Sequence, residues 1–163
     1  MTTVVCRIVE VCAFRINRDK PEFLLLKRSD DDSLYPGMWQ IITGSVHEGE
    51  TALAAALREF KEETHLSPLH FWVVPYTGSL YDPANDVVTM APFFAAQVPP
   101  DAHPTLSHEH TLFEWLPFDA SRRRLVWPGQ RDGLDVVMKY IIGGEDAARL
   151  TEVSLHGTGR PTA

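Results

Sequence analysis

Three carboxylates, Glu59, Glu62 and Glu63, stand close together in the stretch GSVHEGETALAAALREFKEETHL, residues 44–66. If this stretch is helical, with about 100° per residue, the three fall on one face beside small alanine side chains. Like charges one turn apart repel each other. A divalent cation such as Mg²⁺ or Mn²⁺ removes this repulsion, because carboxylate oxygen is its preferred ligand. In such a metal site, Glu59 and Glu63, at i and i+4, would be best placed to share an ion.

The same helix also allows a simpler interpretation, a solvated acidic face whose charges are balanced by Arg58 and Lys61. The helix alone does not decide between the two. In a metal site, Glu62 would hold a second ion or a bound water, since it lies three residues from Glu59. The remaining apolar stripe is expected to face a core and consists of Leu53, Ala56, Leu57, Phe60 and Thr64.

The spacing around the helix resembles the signature of the Nudix family. Gly44 is followed after five residues by Glu50, after seven more by the run REFKEE (58–63), and after two more by Leu66. One position departs from the family pattern, because His65 stands where the family usually has Gly. A left-handed backbone is favoured just past a helix end, and His adopts it better than most residues do.

The resemblance implies a fold and an activity. The Nudix fold is an α/β/α sandwich with a mixed sheet, and members hydrolyse the diphosphate linkage of a nucleoside diphosphate joined to a further group. Bound divalent ions would neutralise phosphate charge, lower the pKa of a water molecule and hold the leaving group. A non-catalytic Nudix module that only binds a ligand is the alternative from a different functional class.

The resemblance also assigns roles to residues of this chain. The implied metal ligands are Glu59, Glu62, Glu63, Glu109 and the backbone carbonyl at Gly44. Glu62 and Glu109 are both candidates for the general base that takes the proton of the attacking water. Arg58 would orient the carboxylates, and Glu50 would be its structural partner.

Two stretches, WQIITGSVHEGET and HEHTLFEWL, are similar to the dihydroneopterin triphosphate pyrophosphohydrolases among the Nudix enzymes, which also accept dATP. Those enzymes release pyrophosphate from a triphosphate in the folate pathway. Arg7, Arg28 and Thr43 fall at their substrate contacts, although Arg7 replaces a Lys. Arg28 could instead pair with residues 30–32, and Thr43 could bond locally. Dinucleoside polyphosphates and oxidised nucleotides remain alternative substrates.

Length and charge narrow the classes of partner. The 163 residues fit one domain, expected over 1–142, followed by a loose polar tail at 143–163. The net charge of −7 argues against non-specific binding to nucleic acid or to anionic membranes. Neither a membrane span nor a secretory signal is apparent in the sequence, so a cytoplasmic protein with a small-molecule substrate is expected.

The remaining elements predict an α+β domain with a mixed sheet between helices. A first strand over 3–16 carries Cys6 and Cys12 on one face, as small core residues. Thr51 is the expected N-cap of the acidic helix. His108 and His110 are expected at the surface or as donors behind the metal ligands. The other expected elements are strands at 23–27, 38–43, 69–81, 87–98 and 111–116, and a helix at 130–142.

Overall fold

The computed structural model of the protein describes residues 1–144 and 146–155. Within them, a mixed sheet of eight strands lies between helices. The strands are β1 (Thr3–Cys6), β2 (Ile8–Asn17), β3 (Lys20–Arg28), β4 (Trp39–Gln40), β5 (Ile42–Ser45), β6 (His70–Asp82), β7 (Val87–Gln97) and β8 (His110–Pro117). The helices are α1 (Ala52–Thr64), α2 (Phe118–Arg124), α3 (Pro128–Val136), its π-helical continuation (Val137–Ile142) and α4 (Asp146–Thr151).

The predicted strand over 3–16 is in fact two strands, β1 and β2, which follow each other along the same side of β7. Three residues, 7–9, lie opposite only two residues of β7, so the chain carries one extra residue at the junction. Because side chains alternate between sheet faces, the extra residue reverses the facing of β1 relative to β2. Cys6 is therefore exposed while Cys12 is buried, and the prediction that they share a face was wrong.

The sheet opens between β2 and β3. These two strands pair only near their shared turn, over residues 14–17 and 20–23. Beyond that point β4 pairs with β3 and β5 pairs with β2, so residues 39–45 cross the gap between the separating strands. The stretch beginning at Gly44 therefore starts at an opening in the sheet.

Each face of the sheet has its own hydrophobic core. On one face, α1 packs over Val9, Val11, Leu24 and Leu26. On the other face, α3 and its continuation pack over alternate residues of the same strands, Cys12, Phe14, Phe23 and Leu25. Because both faces are covered, the strands are apolar over consecutive positions and not only at alternate ones. The predicted α/β/α sandwich with a mixed sheet is confirmed.

The segment after residue 142 differs from the loose tail that was predicted. Residues 146–151 form α4, in which Ala148 is buried. The Val153 amide then donates to the Phe71 carbonyl at 2.7 Å and ties the segment to β6. Residue 145 and residues 156–163 lie outside the described part of the chain. No helix in the described part is long and apolar enough to cross a membrane.

The basic run SRRR belongs to α2, an element that was not predicted. Arg122 forms a paired contact with Asp135 of α3, with N–O distances of 2.5 and 2.8 Å. Arg124 lies 4.8 Å from the ring centre of Trp39. Both arginines therefore hold α2 against neighbouring elements on the α3 face of the sheet.

Candidate functional site

The acidic helix α1 begins and ends with capping contacts. The Thr51 hydroxyl accepts a hydrogen bond from the Ala54 amide at 3.2 Å, which confirms the predicted N-cap. At the other end His65 adopts a left-handed backbone, with φ of 56°, and its amide donates to the Lys61 carbonyl. These contacts fix where the helix begins and ends, and therefore where its carboxylates lie relative to the sheet.

Arg58 connects the helix to the loop that precedes it. Its guanidinium donates to both carboxylate oxygens of Glu50, at 2.9 and 3.0 Å, and to the Ser45 carbonyl at 2.8 Å. It also donates to Glu59 at 2.7 Å and to Glu62 at 3.2 Å. The bidentate contact holds the pKa of Glu50 well below its usual range. One guanidinium thus positions three carboxylates and one strand end.

Glu63 is buried and so does not belong to a solvated acidic face, which was one of the two interpretations of the helix. Only 2% of the residue is accessible, and neither carboxylate oxygen has a hydrogen-bond partner among the described residues. Burial, together with the charges of Glu59 and Glu109, raises the pKa of Glu63 to about 9. Its position three residues after the core residue Phe60 is the signal in the sequence that could have indicated this burial.

The shifted pKa of Glu63 predicts a pH-dependent stability for the metal-free protein. The native carboxyl keeps its proton up to about pH 9, whereas the unfolded chain releases it near 4.5. Stability should therefore fall as the pH rises between these values, by at most about 1.4 kcal/mol per pH unit. Thermal denaturation in EDTA from pH 7 to 9 should show a Tm that falls by roughly 5 °C. The Glu63→Gln variant should show a much flatter profile, and an equally steep one would contradict the prediction.

Beside Glu63 lies a chain of buried polar groups from three strands. Arg28 donates to the Gln40 side-chain oxygen at 3.4 Å, and the Gln40 amide nitrogen lies 3.3 Å from Nε2 of His110. Because Arg28 fixes the orientation of the amide, Gln40 donates to Nε2 and the His110 proton resides on Nδ1. This Nδ1 lies 3.9 Å from a Glu63 oxygen. The chain therefore presents a polar hydrogen toward the buried carboxylate.

His110 is fully enclosed, and the possibility that it lies at the surface was wrong. Burial and the charge of Arg28 lower the pKa of His110 to about 4, so the ring is neutral at pH 7. The reason for its burial is the pairing of β8 with β3, which sets His110 opposite Arg28. Sequence reasoning missed Gln40. The contact of Arg28 with Asp32 is one of the two interpretations that the sequence allowed for Arg28.

The other residues singled out from the sequence lie on different sides of the opening in the sheet. Glu109 is exposed, and its carbonyl accepts a hydrogen bond from the Ser29 amide at 2.8 Å. Gly44 faces Glu59, whereas Thr43 faces the α3 side. The Thr43 hydroxyl donates to the Ile41 carbonyl at 3.2 Å, the local bond that was the alternative for it. Arg7 is exposed at the junction of β1 and β2.

The carboxylates suit a divalent cation, although they are not gathered around one point. In the described part of the chain, no three His, Cys, Asp or Glu side chains already form a ligand cluster. Arg58 holds Glu59 and Glu62 to one side, whereas Glu63 is buried without a partner. A buried carboxylate without a donor is costly unless a cation or a proton compensates it. Oxygen donors of this type suit Mg²⁺ and Mn²⁺.

The unusual His65 makes a contact that Gly could not make. Its ring nitrogen Nδ1 lies 2.8 Å from the Thr105 carbonyl, and the Thr105 amide donates to the Thr64 carbonyl at 2.9 Å. We expect His65→Gly to change stability by less than about 1 kcal/mol, because relief of the left-handed backbone offsets the lost hydrogen bond. His65→Val should lose about 2 kcal/mol, since a β-branched residue is disfavoured there. Urea denaturation of both variants tests this, and equal losses would contradict it.

Comparison with known proteins gives a consistent family assignment. The NUDIX domain family matches residues 7–136. A dihydroneopterin triphosphate diphosphatase of Escherichia coli K12 is 47% identical over 57 residues, which are 35% of this chain and 35% of the relative. An octanoyltransferase of Myxococcus xanthus is 32% identical over 127 residues, 77% of this chain and 35% of the relative. The matches thus span about a third of the length of these curated relatives.

A solved structure shares the fold. An Ap4A hydrolase of C. elegans, in a binary complex, superposes with a TM-score of 0.71 and 23% identity, over 86% of this chain and 100% of that one. Likeness at this identity concerns the fold alone. The family match covers most of the chain and includes the capped helix, its carboxylates and the glycine before them. The chain therefore belongs to the Nudix family.

Proposed function

We propose that this chain is a metal-dependent Nudix hydrolase that cleaves a nucleoside-triphosphate-like substrate to a monophosphate and pyrophosphate. Glu63 is the observation that carries the proposal, because its carboxylate is buried without a partner beside Glu59, Glu62 and Glu109. A structural acidic helix gains nothing from such a desolvated charge. In a metal site, by contrast, the negative charge of Glu63 binds the cation that neutralises the phosphate oxygens.

The groups that would hold Mg²⁺ or Mn²⁺ are Glu59, Glu62, Glu63, Glu109 and the Gly44 carbonyl. When bound, the ion supplies Lewis acidity that neutralises phosphate charge and lowers the pKa of a water molecule. Arg58 keeps the carboxylates of α1 at fixed positions through its contacts with Glu50 and the Ser45 carbonyl. The neutral His110 lies next to Glu63, with Nδ1 3.9 Å from a carboxylate oxygen, and adds no positive charge that would compete with a cation.

In the reaction, a water oxygen forms a new bond to phosphorus, and the bond from that phosphorus to the bridging oxygen breaks. Pyrophosphate leaves, and a carboxylate takes the proton of the water. Glu62 and Glu109 are the two candidates for this base, since both are exposed and lie beside Glu63. Measuring kcat/KM against pH for Glu62→Gln and Glu109→Gln distinguishes them. The variant that lacks the base should lose the rise in rate on the acidic side of the profile, and the other variant should keep it.

We propose dihydroneopterin triphosphate, a folate-pathway compound, as the first substrate to test and dATP as the second. The local identity of 47% to the Escherichia coli diphosphatase supports this order. Arg28 and Arg7 are the cations of this chain that we propose as phosphate contacts. The fold shared with an Ap4A hydrolase supports a dinucleoside polyphosphate as the alternative. The net charge of −7 favours a small-molecule substrate over nucleic acid.

A hydrolysis screen with Mg²⁺ tests the proposed function. Phosphate and pyrophosphate release would be measured for dihydroneopterin triphosphate, dATP, 8-oxo-dGTP and a dinucleoside tetraphosphate. Release of pyrophosphate from a triphosphate, abolished by EDTA, is the expected result. Preference for the dinucleoside tetraphosphate would overturn the proposed substrate but would leave the proposed metal-dependent hydrolysis unchanged. Binding without turnover of any compound would overturn the assignment as an enzyme.

A further inference from the structure

A second group of polar side chains lies on the sheet face opposite α1. Glu10 of β2 is the register partner of Thr43 of β5. Because side chains alternate along a strand, Thr43 faces the α3 side while the next residue, Gly44, faces Glu59 and α1. Thr43 therefore lies beside Glu10 on the α3 face of the sheet, and Gly44 lies beside Glu59 on the α1 face.

Gln130, at the start of α3, fixes this group. Its amide nitrogen donates to Glu10 at 3.1 Å and to the Thr43 hydroxyl at 3.2 Å. Its oxygen accepts from the Ile41 amide at 3.5 Å. Gln130 is 2% exposed, so its amide is committed to these partners. The orientation of the Glu10 carboxylate is therefore set by a buried donor that lies 120 positions away in the sequence.

Glu10 has hydrogen-bonding capacity to spare. Among the described residues, Gln130 donates a hydrogen bond to Oε1 of Glu10, and the Glu10 side chain remains partly exposed. Its second oxygen, Oε2, lies 3.3 Å from where a Cβ of Gly78 would stand, and Ala91 is the neighbouring residue. Glycine and alanine thus leave room around this oxygen. Burial raises the pKa of Glu10, and the hydrogen bond from Gln130 opposes this shift.

We propose that Glu10 binds the adjacent N–H and amino donors of a 2-amino-4-oxopyrimidine ring, the edge that pterin and guanine share. An ionised carboxylate only accepts hydrogen bonds and can accept two side by side. Adenine offers one donor beside an acceptor, so this contact favours pterin and guanine rings over dATP, the second substrate proposed above. This specificity role rests on the proposed function, since the ring is that of the triphosphate substrate. Glu10 is a specificity residue on the face where the ring lies.

The opening in the sheet connects this ring subsite to the carboxylates. Residues 39–45 cross between the separating strands β2 and β3, so Thr43 and Gly44 lie next to each other in the chain but face opposite sides of the sheet. The phosphates then lie toward Glu59 and the ring toward Glu10. Tyr76 lies on the same face as Glu10, where its ring packs edge-on against Phe93 at 5.7 Å.

Nucleotides that differ only at the ring edge test the proposal. Pyrophosphate release from GTP, ITP and ATP would be measured with Mg²⁺ for the native chain and for Glu10→Gln. ITP lacks only the 2-amino group of GTP. We expect kcat/KM to fall about tenfold from GTP to ITP and further for ATP, in keeping with a bidentate contact. Glu10→Gln should lower the value for GTP about 10- to 100-fold and bring the three within about threefold.

Binding of GMP, IMP and AMP, measured by calorimetry without metal, gives a readout that does not depend on hydrolysis. A preference for GMP that Glu10→Gln removes would uphold the ring subsite even if no triphosphate were cleaved. Turnover of all three triphosphates at equal rates would leave the proposed function standing and overturn the role of Glu10. So would a Glu10→Gln variant with unchanged ratios. Glu152→Gln, at an exposed pair with His70, is the matched control and should leave every ratio unchanged.

Discussion

Replacing Glu63 with Gln is expected to abolish hydrolysis while the fold becomes no less stable. The native carboxylate is buried and has no hydrogen-bond donor among the described residues. Gln has nearly the same shape and is neutral at every pH, so the metal-free variant avoids the cost of keeping a carboxyl protonated above its usual pKa. The same change removes a charged oxygen ligand from the proposed metal site. We expect kcat/KM to fall by at least about 10³-fold, or about 4 kcal/mol in transition-state stabilisation.

Opposite directions for activity and stability distinguish this role from a structural one. A buried residue that only supports the fold loses stability when it is altered, and its activity falls for that reason. For Glu63→Gln, the Tm in EDTA at pH 8 should rise by a few degrees. In addition, Mg²⁺ should raise the Tm of the native chain and raise that of the variant much less, because a ligand stabilises only the state that binds it.

Glu114→Gln provides the matched control for Glu63→Gln. Glu114 lies on β8 in a partly exposed pair with Arg124, at an N–O distance of 3.3 Å. Such a pair contributes little to stability, so this variant should keep both its Tm and its activity. More than a tenth of native activity in Glu63→Gln would show that Glu63 is not a metal ligand. A lower Tm in EDTA would show that its burial is compensated by contacts within the protein.

The helix and its family pattern could be predicted because they depend on local spacing. Thr51, the carboxylates of α1 and the left-handed position of His65 all lie within one continuous stretch. Periodicity and capping preferences act over a few residues, and a single sequence contains them completely. The order of the elements, with strands before and after the acidic helix and a second helix at the end, likewise indicated a sheet between helices.

The parts that could not be predicted depend on contacts between distant residues. Gln130 meets Glu10 across 120 positions of the chain, and Gln40 meets His110 across 70. No local pattern distinguishes these side chains from other polar residues of strands and helices. The burial of His110 follows from strand pairing, which a single sequence does not specify at the level of register. The extra residue near Arg7, which reversed the facing of Cys6, escaped prediction for the same reason.

Gly44→Ala is the second substitution expected to have a large effect, because no space exists for even one methyl group. An ideal Cβ on Gly44 would lie 2.0 Å from Cδ of Glu59 and 2.1 Å from its Cγ. The Glu59 side chain would have to move away. It would then lose its hydrogen bonds from Arg58, at 2.7 Å, and from the Ser45 amide, at 3.2 Å. We expect kcat/KM to fall about 100-fold or more, since ligand carboxylates must be held within about 0.5 Å.

A double-substitution cycle tests whether the effect of Gly44→Ala acts through Glu59. Glu59→Ala removes the atoms that the new methyl group would meet, so Gly44→Ala should cost much less stability in that background. The Tm of the four proteins measures this coupling without any need for activity. Gly49→Ala, in the loop that follows β5, is the control, because nothing lies within 4 Å of the added Cβ. Its φ of 75° costs it about 1 kcal/mol, but its activity per folded molecule should stay near native. Equal losses of Tm from Gly44→Ala in both backgrounds would mean that Gly44 acts through its backbone and not by making room for Glu59.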